Sequence, residues 1–288
     1  MSQGFSEEGL FSDYPVTFES KIRKAVETLQ HYEELALEFD SEVGYNLCFS
    51  GGKDSVVIME LAKMAGVKFA AHYNVTGIDP PELVRFIKEE HPDVKFNRAP
   101  RPFFKTLVES KGIPTRKLRW CCAIYKEQGG SDKVKILGVR AAESTSRKEH
   151  WRILTPWKKG GRNGTETSGW CVAPILHWSD KDVWKFIKDK GIPYCKLYDE
   201  GFKRLGCIGC PMAMGHRREQ FVRWPKYEAA WKKAFEQYWT RCNKAYKGKT
   251  NPRTGRIYFA CRFESPEKMW EWWMSNDKSP DGCNMGLF

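Results

Sequence analysis

The chain has 288 residues, 48 Lys and Arg against 36 Asp and Glu for a net charge of +12, 41% hydrophobic residues and a mean hydropathy of −0.60. These values exclude a mainly disordered chain and a collagen-like repeat, and no window approaches the roughly 18 apolar residues of a membrane span. The ten Cys are unevenly spaced and the start, MSQGFSEEGLF, lacks the basic-then-apolar pattern of a secretion signal, so the expectation is a soluble cytoplasmic protein with thiols or metal ligands instead of a disulfide framework.

In chain order, Phe18, Ile22, Val26, Leu29 and Phe39 predict one amphipathic helix over 17–39. Tyr45–Phe49 reads as a strand, Ser50-Gly51-Gly52 as a turn and Ser55–Ala65 as a helix stopped at Gly66, the opening of a βαβ unit. The alternation continues with strands at 68–75, 94–98 and 133–139 and helices at 81–90 and 103–111. It predicts an α/β fold, a doubly wound, mostly parallel sheet with helices on both faces and ligands beyond the carboxyl ends of its strands. Lys158–Gly169 has four glycines and no apolar residue and reads as a mobile loop or lid. Ser179 caps a helix over 180–190 that stops at Gly191.

Beyond Cys210-Pro211 the chain turns basic and aromatic, with Trp231, Phe235 and Trp239 forming a core-facing stripe. The expected divisions are an N-terminal helical segment 1–41, an α/β domain 42–206 and a helical basic region 207–288. Between His216 and Arg262 there are 13 Lys and Arg against three Glu, so this segment carries most of the net charge. Clustered cations suit a polyanion such as DNA or RNA, and a solvated helix face is the bland alternative.

Ser50-Gly51-Gly52-Lys53-Asp54-Ser55 lies where the first strand meets the first helix of the βαβ unit. Glycines let backbone N–H groups approach anionic oxygens, the helix N-terminus adds partial positive charge, and Ser50, Ser55 and Lys53 add hydroxyls and a cation. Walker A and GxGxxG spacings are both absent. The hexapeptide resembles the PP-loop signature SGGxDS of the adenine-nucleotide α-hydrolase-like superfamily. That resemblance implies ATP cleaved between its α and β phosphates, with the loop on the pyrophosphate and Mg²⁺ offsetting phosphate charge.

Arg119-Trp120-Cys121-Cys122 and Gly206-Cys207-Ile208-Gly209-Cys210-Pro211 are the close cysteine pairs. Four thiolates from two such pairs can hold an iron–sulfur cluster or a zinc ion, and an adjacent CC departs from the usual zinc spacing. A PP-loop followed by CC and then CxxC resembles the phosphoadenylyl-sulfate and adenylyl-sulfate reductase family, in which these cysteines ligate a [4Fe-4S] cluster. Thr76-Gly77 with Pro81-Glu82, Leu137-Gly138-Val139-Arg140 with Glu143-Ser144 and Arg147, and the stretch from Pro174 to Gly201 extend the resemblance over about Tyr45 to Pro211. It implies that Thr76, Gly138 and Arg140 join the loop on the nucleotide, and that Lys53, Asp54, Arg140 and Arg147 carry the chemistry. Arg140 and Arg147 also suit phosphate or sulfate by bidentate hydrogen bonding alone.

Departures from that family sharpen the expectation. Its reductases carry a C-terminal ECGLH motif, whereas Cys283 here lacks the Glu before it and the Leu-His after it. Val75 stands where the family has an acid before Thr-Gly, with Asp79 as a substitute. An intact GGKD without the reductase tail resembles the ATP-using sulfur-transfer branch, which includes DNA phosphorothioation proteins of the DndC type and tRNA thiolases. The expected activity is ATP-dependent sulfur transfer with a sulfur donor such as a cysteine desulfurase. The alternatives are a sulfonucleotide reductase producing sulfite and a non-catalytic nucleotide- and nucleic-acid-binding partner. A zinc deaminase fits poorly, since His31-Tyr32-Glu33 lies on the N-terminal helix and no Pro precedes Cys207. Oligomeric state stays open, a homodimer among the options.

Overall fold

The computed structural model describes residues 17–110, 112–127, 132–158, 167–213, 215–246 and 263–275. These fall into two compact units that interleave along the chain: one holds residues 17–74, 81–97 and 132–205, the other 75–80, 98–127 and the described residues from 206 on. The compact units are therefore not the linear segments 1–41, 42–206 and 207–288. The CC segment and the turn after Val75 cluster with the chain beyond Gly206: Phe103 meets Trp231 at 5.2 Å, and the Ile208 N–H donates to the Ile78 carbonyl at 2.8 Å.

The first unit begins with α1 (Phe18–His31) and α2 (Glu33–Phe39). The single predicted helix breaks at Tyr32, whose backbone leaves helical geometry at φ −96° and ψ 8°. The break keeps Leu29, Tyr32 and Ala36 buried and leaves Phe39 at 40% exposure. Thr17 caps α1 by accepting from the Ser20 N–H.

β1 (Tyr45–Cys48), α3 (Lys53–Ala65), β2 (Phe69–Val75), α4 (Pro81–Glu90) and β3 (Lys95–Arg98) follow. Gly66 stops α3 in the left-handed conformation at φ 69°. β4 (Lys133–Ile136), β5 (Leu154–Lys158) and β6 (Thr167–Val172) complete a six-stranded sheet of order β3-β2-β1-β4-β6-β5. β1 runs parallel to β2 and β4, β4 runs parallel to β6, and β5 runs antiparallel to β6. Right-handed crossovers put α3 and α4 on one face. The inward side chains Tyr45, Leu47, Ala71, Tyr73, Val134, Ile136 and Val172 are all buried.

Alternate positions make the other face polar. There Asn97 donates to Asn74 at 3.1 Å, Lys133 meets Asp40 at 3.0 Å, and buried Lys135 sits 3.8 Å above the Trp157 ring. Cys48 and Cys171 border it, and burial pushes their thiols up to about 11 and about 12.

The predicted loop 158–169 is strand at both ends, since Lys158 pairs with Thr167 and Trp157 with Gly169; residues 159–166 lie outside the described residues. Gly169 serves close approach, because a Cβ there would stand 2.5 Å from the Lys133 carbonyl oxygen. α7 (Thr145–His150) precedes β5, and α8 (Asp180–Asp189), capped by Ser179, follows β6.

In the second unit, α5 (Phe103–Glu109), α6 (Trp120–Tyr125), α9 (Arg217–Arg223), α10 (Pro225–Tyr246) and α11 (Pro266–Ser275) enclose an aromatic core. Trp231 stacks on Trp273 at 4.8 Å and meets Phe103 edge-on at 5.2 Å. The expected stripe on α10 holds for Trp231 and Phe235, at 0% and 1% exposure, while Trp239 is half-buried and donates to the Phe263 carbonyl at 2.9 Å.

His91 gives the first unit a pH dependence. Its ring packs edge-on against Phe49 and Phe86 at 4.8 and 5.3 Å, and its buried Nε2 has no hydrogen-bond partner among the described residues. Burial, with help from Lys63, pushes its pKa down from 6.5 to about 4. Between those values the unfolded chain binds the extra proton, so stability is lost as pH falls from about 6.5 towards 4. The unfolding free energy obtained from urea titration is expected to drop between pH 7 and pH 5 by an amount on the order of 1 kcal/mol, the ring being only partly buried. His91→Phe is expected to flatten that slope, leaving the contribution of His72, whose pKa burial also lowers.

Candidate functional site: an anion loop and a thiol cluster

In the first unit, β1 feeds the loop 50–52 and α3 starts at Lys53 with Gly52 as its N-cap. Gly51 sits at φ +71°, and a Cβ there would come within 2.8 Å of Leu83 and Ile87. Only glycine lets the loop lie against α4 in this conformation. Ser55 Oγ donates to the Gly52 carbonyl at 2.8 Å and lies 3.3 Å from Ser50 Oγ. The Lys53 N–H, one of the orphan donors of a helix start, donates to the Tyr198 hydroxyl at 2.9 Å.

Beyond β4, Gly138 passes so close to α3 that a Cβ would lie 3.1 Å from Asp54. That approach delivers Arg140 to the loop. Arg140 Nε donates to Asp54 Oδ1 at 2.6 Å and Nη2 to Asp180 Oδ1 at 3.0 Å. Lys53 Nζ lies 3.2 Å from Asp54 Oδ2 and 3.2 Å from Asp180 Oδ1. Two cations and two carboxylates thus close a ring in which the Lys53 and Arg140 side chains are 7% and 4% exposed and Asp180 is 61% exposed.

Ser50, Gly51, Gly52, Lys53, Asp54, Ser55, Gly138 and Arg140 therefore share one site. Arg147 pairs instead with Glu143, whose carboxylate also accepts the Arg140 N–H at 3.1 Å. Thr76 belongs to the second unit: its N–H donates to Asp79 Oδ2 at 2.8 Å, and Cys207 Sγ donates towards its hydroxyl at 3.5 Å. Thr76, expected on the nucleotide, contacts the CxxC segment in this structure.

Cys121, Cys122, Cys207 and Cys210 line one cavity of about 20 Å³ in the second unit, with Thr76 and Lys126 on its wall. The CC pair lies in the first turn of α6, not on an isolated turn. Gly209 turns the CxxC at φ +76°, and a Cβ there would stand 2.7 Å from Phe221 and Trp231. Gln220 accepts its N–H at 2.9 Å, and Trp231 Nε1 donates to the Ile208 carbonyl at 3.1 Å. The hydrogen bond from Cys121, supported by Arg119, holds the Cys122 thiol down to about 5, and the same bond holds Cys121 up. Burial pushes Cys207 up against the opposing field of Lys126. The ammonium of Lys126 is in turn favoured by Cys207, Cys210 and Asp79.

The donor set suits a soft metal group held by thiolates, and the four sulfurs face one space. Among the described residues no three His, Cys, Asp or Glu side chains close on a single ion. The cavity is about the size of one water molecule, so a cluster requires the two cysteine segments to part. Cys283 lies outside the described residues. Sequence reasoning missed Tyr198, Asp180 and Lys126; the spacing of Lys126, four residues after Cys122 and at the C-cap of α6, was the available signal.

Residues 44–213 match the phosphoadenosine phosphosulfate reductase domain family. The chain belongs to that family. Uncharacterized protein MJ0066 of Methanocaldococcus jannaschii is 29% identical over 248 residues, covering 80% of this chain and 50% of the relative. Adenosine 5'-phosphosulfate reductase of Bacillus anthracis is 26% identical, covering 62% of this chain and 79% of that one. The chain spans about half the length of MJ0066 and of a second M. jannaschii relative, MJ0973. Among solved structures, phosphoadenylyl-sulfate reductase from Candida auris is similar at TM-score 0.42 and 13% identity over 68% of this chain and 98% of that chain. FMN adenylyltransferase from Candida glabrata is similar at TM-score 0.47 and 17% identity over 69% and 68%. The family match contains both the loop and the CxxC but ends before α9.

Because Gly51 combines positive φ with contact to α4, Gly51→Ala is expected to lower stability by about 1–2 kcal/mol, read from urea unfolding.

Proposed function

We propose that the chain is an adenine-nucleotide enzyme that cleaves ATP between the α and β phosphates and uses the activated acceptor for sulfur transfer. The observation that carries this reading is the loop Ser50–Ser55, with Lys53 and Arg140 held together at the carboxyl ends of β1 and β4. Open α/β sheets bind ligands at that edge. An acceptor oxygen attacks the α-phosphorus, the bond to the bridging oxygen breaks, and pyrophosphate leaves with the electron pair. A sulfur nucleophile then forms its bond to the acceptor carbon or phosphorus, and AMP leaves with the oxygen. Lys53 and Arg140 offset the charge that develops on the phosphates, and MgATP is the substrate form.

Cys121, Cys122, Cys207 and Cys210 would hold a [4Fe-4S] cluster, or zinc in the alternative case. When bound, a cluster supplies a soft metal surface for sulfur. The CxxC turn and the Trp231 hydrogen bond to the Ile208 carbonyl orient two of those thiols, and Arg119 and Lys126 supply positive charge beside them. The acceptor suggested by charge is a nucleic acid, since Arg218, Lys226, Lys233 and Lys244 are exposed on α9 and α10. A cysteine desulfurase is a suitable sulfur source.

The Bacillus relative's name favours a second reading, reduction of adenylyl sulfate to sulfite. Anaerobically purified protein, supplied with MgATP and DNA or RNA, is expected to release pyrophosphate. Lys53→Met is expected to slow that release by about 10²-fold or more, with its circular dichroism unchanged. Absence of pyrophosphate alongside sulfite formation from adenylyl sulfate would transfer the assignment to the reductase.

A further inference from the structure

We propose that Asp180 is a displaceable latch, a carboxylate occupying the place that a phosphate group takes on Lys53 and Arg140, so that the loop admits polyphosphates in preference to single-charge anions. The proposal rests on the nucleotide reading of the loop. Lys53 and Arg140 are two nearly buried cations, and a buried cation needs a partner. Asp54 serves both with separate oxygens, Oδ1 to Arg140 at 2.6 Å and Oδ2 to Lys53 at 3.2 Å. It is fixed by its place in the first turn of α3, where the close passage of Gly138 packs against it.

Asp180 differs in every respect that matters for exchange. It uses the single oxygen Oδ1 for both cations, at 3.2 and 3.0 Å, and its side chain is 61% exposed. It is also the first residue of α8, as Lys53 is the first residue of α3. Two helix N-termini therefore add positive potential where this one oxygen sits, a place that favours any anion. The ring is neutral as it stands. A free monoanion that displaced Asp180 would restore the same charge and lose the advantage of the tether. A pyrophosphate group brings more charge and several oxygens, enough to bridge both cations at once. Asp180 thus acts as a specificity-determining residue through Lys53 and Arg140.

The test is calorimetric titration of inorganic pyrophosphate and of orthophosphate into the full chain and its Asp180→Asn variant, in chloride buffer with EDTA and again with excess Mg²⁺. Asp180→Asn keeps the side-chain shape and removes the competing charge. It is expected to bind pyrophosphate roughly five- to tenfold tighter than the parent in EDTA, a change of about 1–1.4 kcal/mol, and to narrow the preference for pyrophosphate over orthophosphate. It is also expected to melt lower than the parent without anion and to gain more on adding pyrophosphate. A merely structural role for Asp180 would weaken binding instead of tightening it. Asp180→Ala, read the same way, guards against a folding defect peculiar to the amide. Equal or weaker pyrophosphate binding in both variants, with the parent binding normally, overturns the latch and leaves the nucleotide reading intact; weakening confined to the Mg²⁺ series overturns it in favour of a metal-ligand role. No binding of pyrophosphate or ATP by parent or variants overturns the nucleotide reading and the latch with it.

Discussion

The first unit depends on burying Lys53 and Arg140 together. Two cations that are 7% and 4% exposed repel each other more strongly there than in water, and the arrangement survives only with carboxylates threaded between them. Much of the local backbone follows from that requirement. Gly138 must lack a Cβ for the chain after β4 to reach Asp54, Asp54 must sit in the first turn of α3, and α8 must start beside the loop to supply Asp180. Tyr198 closes the set by taking the Lys53 N–H, which anchors the start of the helix from a distant 3₁₀ turn at Lys196–Tyr198.

In the second unit the corresponding constraint is aromatic. Trp231, Trp273, Phe235 and Phe103 fill its centre, but their indole N–H groups do a second task. Trp231 donates to the Ile208 carbonyl inside the CxxC, Trp273 to Pro114, and Trp120 to Gly112. A buried indole needs an acceptor, and here the acceptors lie on the segments that flank the thiols. Trp231, expected from the sequence to face the core, thus also fixes the cysteine geometry.

What could be read along the chain was local. The strand-turn-helix context of Ser50–Ser55, the Ser179 cap, the stop at Gly66 and the two cysteine pairs each depend on residues within a few positions, and they appear in the structure where spacing puts them. Tyr198 and Asp180 were not legible, because each matters through partners far along the chain, Tyr198 through Lys53 at 145 positions and Asp180 through Lys53 and through Arg140 at 40 positions. Thr76, which motif similarity attaches to the nucleotide, also takes a contact from Cys207 across 131 positions, a pairing that no local pattern announces. The glycines of 158–169 suggested mobility, yet Gly169 is a strand residue made necessary by the Lys133 backbone. In each case the deciding interaction joins elements that sequence order keeps apart.

The basic segment shows how far a charge count can be carried. Arg217 is 3% exposed, lies 4.3 Å from the Trp273 ring, and burial pushes its pKa down to about 10. Arg241 donates to the Ser110 carbonyl and lies over Tyr238. Lys232 pairs with Glu228 at 2.7 Å and reaches over Trp270. These side chains hold α9, α10 and α11 to the aromatic core, so they are not free to grip a phosphate. A ring contact does not cancel a charge, however. The contacts with Trp273 and Tyr238 leave the positive potential of the segment in place while fixing where the charges sit. On the proposed nucleic-acid reading, these residues would contribute long-range attraction only, and phosphate contact would fall to the exposed Arg218, Lys226, Lys233 and Lys244.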